Sequence, residues 1–408
     1  MGLTRRGKHF LRRVQTRLLV ERLRRQKTHR LRPGSGAVRL VLFLSRPQDV
    51  DLYLDIFRQA RQRPEIRVVF WATRRTLEHF PAMPARLAEY GIEVSQVVDH
   101  HNLSRIEERL FEIDALLNTV ESSYAAHKVP HRLVQLANAC GVMTYTLQHG
   151  FENLGLTYLD DEQGSGVTFA ARRVLCWSRV EDLPGRLAAD TRQKCVAVGC
   201  PKIAPEKAAL KVDSGQPLIA VFEGLHVSRF DAGYRERFFA DLERMAKEFS
   251  GLRFLLKPHP GIVQRDSDHQ SRLDDLAKMI EVLDPARPES GRNRSTPELL
   301  SCCRAAITTP STIALDAAQA GIPVAVIRYG QEIPYYDLYR PLPLLDTTAD
   351  WRRFLELCER DPQKVLTASG DFLKRVMLPG NAARRILDLV VADCRGDGWL
   401  PSGAGLPG

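Results

Sequence analysis

The sequence predicts an α/β fold: two Rossmann-like domains facing across a cleft, preceded by a basic helical tail. Three observations lead there. At 408 residues the chain outgrows a single hydrophobic core, which argues for two domains. From Val38 onward, short apolar runs alternate with helical segments, the pattern of parallel βαβ units. The same alternation resumes at Pro217, so the theme occurs twice.

The elements follow in order. Val38–Leu44 reads as a buried strand, Val50–Gln62 as a helix, and Ile66–Trp71 and Ile113–Val120 as further strands. A helix is expected near Pro130–Ala139, then a strand over Val142–Leu147 that ends at Gln148-His149-Gly150. In the second half, Pro217–Phe222 reads as a strand and Ala232–Phe249 as a long amphipathic helix. Leu252–Leu256 is a strand running into Lys257-Pro258-His259-Pro260, and Leu273–Leu283 a helix. A strand over Ala305–Thr308, a helix over Ser311–Ala320, a Gly321 stop and a strand over Pro323–Ile327 complete the second sheet. Asp350–Ala392 reads as helical, and the connection between the domains is expected near residues 185–215.

Composition narrows the class. Hydrophobic residues make up 44% and charged residues 26%, as in an ordinary globular chain. No apolar run is long enough to cross a bilayer, and the basic start leads into no secretory apolar segment, so a cytoplasmic location is expected. The eight cysteines are scattered without a C-x-x-C pair and read as buried free thiols. Residues 1–33 hold twelve Arg or Lys against one acid, a local +11 that leaves about −1 for the rest of a chain totalling +10. Phe10, Leu11, Val14, Leu18 and Leu19 recur among these arginines at helical spacing. Such a helix suits an anionic membrane surface, at which the protein would be peripheral; a solvated leader is the equal alternative. The tail lacks interleaved aromatics and the body shows no nucleic-acid module, so nucleic acid is not an expected partner.

The chemistry is expected at strand ends. Thr309-Pro310-Ser311-Thr312 opens a short helix, where hydroxyls and unpaired backbone N–H groups suit an anion. Asp316 lies four residues beyond Thr312 on the same face, placed to accept hydrogen bonds from ribose hydroxyls. A capped core helix explains the hydroxyls but not an acid among small residues. Lys257-Pro258-His259-Pro260 ends a strand at the carboxyl edge, and the two prolines fix the direction of His259 toward a phosphate. His149, exposed by the Gly150 turn, is a candidate general base on an acceptor hydroxyl, as is Glu223 of Glu223-Gly224. Glu152 and Lys202 are further candidates, the latter for a pyrophosphate. Asp49-Val50-Asp51, Asp266-Ser267-Asp268 and His100-His101 fall short of a metal site: the first opens a helix, where acids are favoured anyway. No metal or other cofactor is expected.

Together these residues resemble bacterial surface-polysaccharide transferases of the GT-B fold. Glu223-Gly224, His259-Pro260 and Ser311-Thr312 resemble, in order, the acidic-Gly, His-Pro and Ser-Ser/Thr motifs of sialyl-, polysialyl- and Kdo-type capsule transferases. Gln148-His149-Gly150 resembles the His-Gly turn of CDP-glycerol glycerophosphotransferases of teichoic-acid synthesis. The resemblance implies a nucleotide-sugar or CDP-glycerol donor (CMP-, CDP- or UDP-linked) and a glycan or lipid-linked acceptor. The organisation expected is a basic amphipathic tail and linker over residues 1–36, an acceptor domain over 37–195, a donor domain over 196–345 and helices over 346–400. Phe222 stands where a second acid is common, a departure that weakens Glu223 as the base. Two alternatives remain: a hydrolysing UDP-N-acetylglucosamine 2-epimerase, which needs clustered acids, and a non-catalytic glycan-binding or export scaffold.

Overall fold

The computed structural model describes residues 18–23, 36–80, 83–99, 103, 106–124, 127–151, 159–160, 165–185, 187–203, 215–224, 230–231, 233–259, 267–283, 294–331 and 336–396. The chain divides into two compact units. Unit 1 takes Met1–Ile203 and Met377–Gly408, and unit 2 takes Ala204–Val376.

In unit 1 the order is β1 (Val38–Leu44), α1 (Asp49–Ala60), β2 (Ile66–Thr73), α2 (Arg74–His79), α3 (Met83–Glu89), β3 (Val94–Val98) and α4 (Glu107–Phe111). Then come β4 (Ala115–Asn118), α5 (Lys128–Ala139), β5 (Met143–Leu147), the small hairpin β6 (Leu159–Asp160) and β7 (Ser165–Gly166), β8 (Arg173–Cys176), α6 (Ala189–Lys194) and β9 (Cys195–Ala197). Seven strands form one sheet in the order β3-β2-β1-β4-β5-β8-β9, with parallel neighbours throughout. β4 is buried at every position and β1 at all but Arg39, because helices cover both faces of a parallel sheet.

Unit 2 runs β10 (Leu218–Phe222), α7 (Gly233–Glu248), β11 (Arg253–Lys257), α8 (Ser267–Leu276), β12 (Glu281–Val282), α9 (Thr296–Cys302), β13 (Ala305–Thr308) and α10 (Ile313–Gln319). It continues with β14 (Val324–Ile327), α11 (Tyr336–Tyr339), β15 (Leu344–Leu345), α12 (Thr348–Arg360) and α13 (Pro362–Val376). Its six parallel strands are ordered β12-β11-β10-β13-β14-β15. The core joins strand residues Ile219, Leu256 and Ile307 to Phe238 and Phe239 of α7 and Trp351 of α12. Ser295 and Thr347 close capping boxes with Glu298 and Asp350, which fixes the starts of α9 and α12.

Several expectations change. The helix expected over Leu273–Leu283 starts earlier, at Ser267, and stops at Leu276; Glu281–Val282 is instead an edge strand. The helical portion over Asp350–Ala392 resolves into three helices, broken at Asp361 and at the turn before Asn381. The last, α14 (Ala382–Arg395), belongs to unit 1, where it packs on α1, β1 and β5, while α12 and α13 belong to unit 2. Gly199 (φ 86°) turns the chain where an added Cβ would stand 2.7 Å from the Arg385 guanidinium. That guanidinium donates to the carbonyls of Val198, Leu378, Pro379 and Gly380.

Of the basic tail, residues 18–23 are among the described residues. Residues 18–23 are helical; Leu23 is buried, and Leu19 and Val20 pack against the unit 1 core. Of the apolar series among the described residues, Leu18 faces outward, at 67% exposure. Phe10, Leu11 and Val14 lie outside the described residues. All eight cysteines are free thiols. Among the described residues no helix is long and apolar enough to cross a membrane.

Candidate functional site

In each sheet the first strand sits between the second and the fourth, so successive connections leave its carboxyl edge on opposite sides. Open α/β sheets bind ligands at this reversal. In unit 1 it lies between β1 and β4, and in unit 2 between β10 and β13.

The loop after β1, Ser45-Arg46-Pro47-Gln48, leads into Asp49, which has no exposed surface. Its carboxylate accepts from Ser45 N (2.7 Å), Arg46 N (2.9 Å), the Arg46 guanidinium (3.0 Å) and Thr119 Oγ1 (2.6 Å). Thr119 is the first residue past β4, so this carboxylate ties the two strand ends across the reversal. One turn along α1, the Tyr53 hydroxyl lies 3.2 Å from the carbonyls of both Phe43 and Leu117. Burial, and then the Asp49 charge, push the Tyr53 phenol well up, so it stays protonated.

His149, two residues past β5, is fixed by the same loop. Its Nδ1 donates to the Thr119 carbonyl at 2.5 Å. A carbonyl only accepts, so the proton of the neutral ring is on Nδ1 and the lone pair on Nε2. Burial, and then the Arg46 cation, push this imidazole well below its ordinary pKa; the Thr119 carbonyl opposes them without prevailing. The ring is therefore neutral near pH 7.

Beside it lies a second polar group. Glu121, 1% exposed, accepts from Thr146 Oγ1 (3.1 Å), Ala170 N (2.7 Å) and Ala171 N (3.3 Å), and pairs with His131 Nδ1. Ser122 Oγ and His127 Nδ1 share a hydrogen bond of 2.7 Å. Burial first, then Arg46 and His131, push His127 down to about 4. Gln148 braces the turn, accepting from Trp177 N (2.9 Å) and donating to the Gly150 carbonyl (3.2 Å).

The reversal in unit 2 is closer-fitting and differently charged. Gly224 N donates to Thr309 Oγ1 at 2.6 Å, and an added Cβ would stand 2.7 Å from that hydroxyl, so the approach requires glycine. Glu223, 3% exposed, sets its carboxylate 3.2 Å from Nε2 of buried His269 on α8. Glu223 also faces His259: burial pushes that imidazole below its usual pKa, and the Glu223 charge pulls it back up. Lys257 Nζ donates to the Arg294 carbonyl at 2.7 Å, and burial lowers its ammonium against the pull of Glu298.

At α10, Ser311 Oγ accepts from Ile313 N (3.3 Å), while the Thr312 side chain makes no capping bond. The Ser311 carbonyl accepts from Tyr339 OH (3.1 Å), which anchors this loop to α11. Asp316 is 4% exposed, one turn below. The structure thus gathers Glu223 and His259 at one strand edge with Gly224 and Thr309, and places Ser311, Thr312 and Asp316 on the element that follows β13. His149 belongs to unit 1. Lys202, half-buried, also falls in unit 1 rather than with the donor candidates, and Glu152 lies outside the described residues.

Sequence reasoning missed Arg46, Thr119, Glu121, Ser122, His127 and His131, and set Asp49 aside as a helix-opening acid. Its partner Asp51 does behave as a surface acid, paired with Arg86. Asp266, His100 and His101 lie outside the described residues. A surface hollow of about 380 Å³, lined by Phe57, Arg61, Arg63, Ile66, Arg67 and Val68 among others, opens at the start of β2. That is the amino edge of the sheet, opposite the strand-end cluster, and none of the cluster residues line it.

No protein-family model matches the chain, and neither does any curated protein sequence. Solved structures do. The UDP-GlcNAc 2-epimerase of Neisseria meningitidis bound to UDP-GlcNAc superposes with a TM-score of 0.61 at 12% identity, covering 87% of this chain and 100% of that one. The S. aureus MnaA–UDP structure gives 0.59 at 12% identity over 86% and 96%. The wall teichoic acid polymerase TagF gives 0.55 at 13% identity over 95% and 97%. At these identities the likeness establishes the fold: two Rossmann-like units of the GT-B class.

Proposed function

We propose that the chain transfers a group from a nucleotide-activated donor, CMP-, CDP- or UDP-linked, to a hydroxyl of a cell-surface glycan or lipid-linked acceptor. The observation that carries this reading is the state of His149. A neutral imidazole with its proton committed to a backbone carbonyl is a proton acceptor at Nε2. In the reaction the acceptor O–H gives its proton to Nε2 as the oxygen bonds to the transferred carbon or phosphorus. The bond to the nucleotide's phosphate oxygen breaks, and the electron pair leaves with the nucleotide.

Unit 2 supplies the nucleotide's contacts. His259 and Lys257 meet the phosphate charge, Ser311 and Thr312 donate hydroxyls to it, and Asp316 accepts from the ribose. The positive charge comes from side chains, and no metal is called upon. Glu223, enclosed against His269, serves to bias His259 rather than to take the acceptor proton.

Calorimetric titration of CMP, CDP and UDP into the protein and its His259→Ala variant tests the assignment. Tight binding of one nucleotide, lost in the variant, is expected; no binding of any of them sinks the reading. A UDP-N-acetylglucosamine 2-epimerase is the second reading, supported by epimerase neighbours that superpose as well as TagF does. Release of free N-acetylmannosamine with no acceptor present would establish it instead. Nucleotide binding with no turnover on any acceptor would favour a scaffold.

A further inference from the structure

A second charged feature lies at the amino edge of unit 1, clear of the strand-end groups. The hollow of about 380 Å³ there is lined by the end of α1, the loop after it and the start of β2. β3 pairs with β2 only from Phe70 onward, so among the described residues Ile66–Val68 have β1 alone as a strand neighbour. The rim is preformed: Gln62 N, Arg63 N and Ile66 N donate to the carbonyls of Gln59, Ala60 and Arg63 at 3.1, 3.0 and 3.2 Å. The length of β2, roughly 20–25 Å, separates this rim from the carboxyl edge of the sheet.

The lining carries three arginines, Arg61, Arg63 and Arg67, and no acid. Arg63 is committed to the fold: it binds Glu65 at 2.8 Å and Asp388 of α14 at 2.7 Å, and Arg395 and Arg384 also bear on these two carboxylates. Arg61 and Arg67 are exposed and make no ion pair among the described residues. The Arg61 guanidinium lies 5.8 Å from the centre of the Phe57 ring, which meets Phe70 edge-on at 5.2 Å. In the β1–β2 register Arg67 stands beside Arg39, like charge against like, while Arg39 turns to the Glu112 carbonyl at 3.2 Å. An anion beside Arg67 relieves a charge that no carboxylate meets.

The two uncommitted guanidinia call for more than one negative charge. A carboxylate brings one, whereas a phosphate monoester carries nearly two near pH 7, with three acceptor oxygens for planar guanidinium forks. A hollow of about 380 Å³ also exceeds what a bare anion fills and suits a body of small-ligand size. We infer that this hollow binds a phosphate monoester with an apolar or planar body. The phosphate sits on Arg61 and Arg67, and the body on Phe57, Ile66 and Val68. The inference does not rest on the transferase reading, which uses none of these residues.

Calorimetric titration of phenyl phosphate, hexyl phosphate and inorganic phosphate into the full-length His259→Ala variant tests it, with the phosphate contact proposed in unit 2 removed. At least one ester is expected to bind about tenfold more tightly than inorganic phosphate. Preference for phenyl phosphate identifies a planar ligand such as a nucleotide, and preference for hexyl phosphate a lipid phosphate. Adding Arg61→Gln/Arg67→Gln, both at exposed positions, is expected to weaken the ester about tenfold or more. Arg58→Gln, exposed on α1 but outside the lining, is expected to leave it unchanged. Equal binding by the double variant, an equal loss in Arg58→Gln, or inorganic phosphate bound as tightly as both esters would each overturn the inference. Titration of CMP, CDP and UDP into the native chain reads the transferase assignment separately, so either proposal can fail while the other stands.

Discussion

The two strand-order reversals share one architecture and carry opposite electrostatics. In unit 1 the buried carboxylate, Asp49, is tied to a guanidinium, and that cation disfavours a proton on His149. In unit 2 the buried carboxylate, Glu223, faces histidines on two sides and favours a proton on His259. Burial lowers both imidazoles, but the neighbouring charge works with it in one unit and against it in the other. The lesson is that the sheet reversal sets where polar groups converge, while the sign of the nearest partner sets what the histidine is for. One is made to take a proton, the other to meet an anion.

Three measurements break or sharpen that contrast. The largest effect is expected from Asp49→Ala, which strands two backbone N–H groups, the Thr119 hydroxyl and the Arg46 cation. A loss of about 3–5 kcal/mol in urea unfolding is expected; a cost under about 1 kcal/mol would show that the network does not hold the β1–β4 edge together.

Next comes pH. His127 is held at about 4 in the folded chain against an ordinary 6.5, so its folded form resists protonation. The stability it contributes is fully present above pH 6.5 and lost as pH falls toward about 4. The loss is on the order of 3 kcal/mol, with His149 and His259 adding in the same direction. Unfolding midpoints measured across that window should fall less steeply in His127→Gln, and identical slopes would remove His127 from the account.

The smallest effect is expected from Gly224→Ala, about 1–3 kcal/mol, since its Cβ must displace the Thr309 hydroxyl. Adding Thr309→Ala removes the obstructing atom and should recover part of the loss. If the double variant is no better than the single, the tightness of the unit 2 reversal lies elsewhere.

Much of this was legible in the chain. His149, Glu223, His259 and Ser311 were singled out as candidates because each follows an apolar run, and a strand end can be read from one dimension. Asp49 does open a helix, as read; its tie to Thr119, 70 residues away, was invisible because only strand order reveals that β1 and β4 are neighbours. Arg46, three residues before Asp49 in a strand-end loop, was the signal available. Val94–Val98 and Cys195–Ala197 escaped notice because outer strands of a sheet bury less and carry polar residues such as Ser95 and Gln96. The start of α8 was misplaced because its first turn, Ser267-Asp268-His269, looks like a loop until His269 is seen buried against Glu223.

The membership of α14 in unit 1 has a consequence for how the protein is made. A ribosome delivers β1 through β9, then all of Ala204–Val376, before it delivers the helix that covers α1, β1 and β5. During synthesis the first sheet therefore waits with an apolar face open while the second unit, contiguous in the chain, is free to fold. The first part translated is the last to be completed, and a chain released at Val376 would carry a finished second unit on an unfinished first.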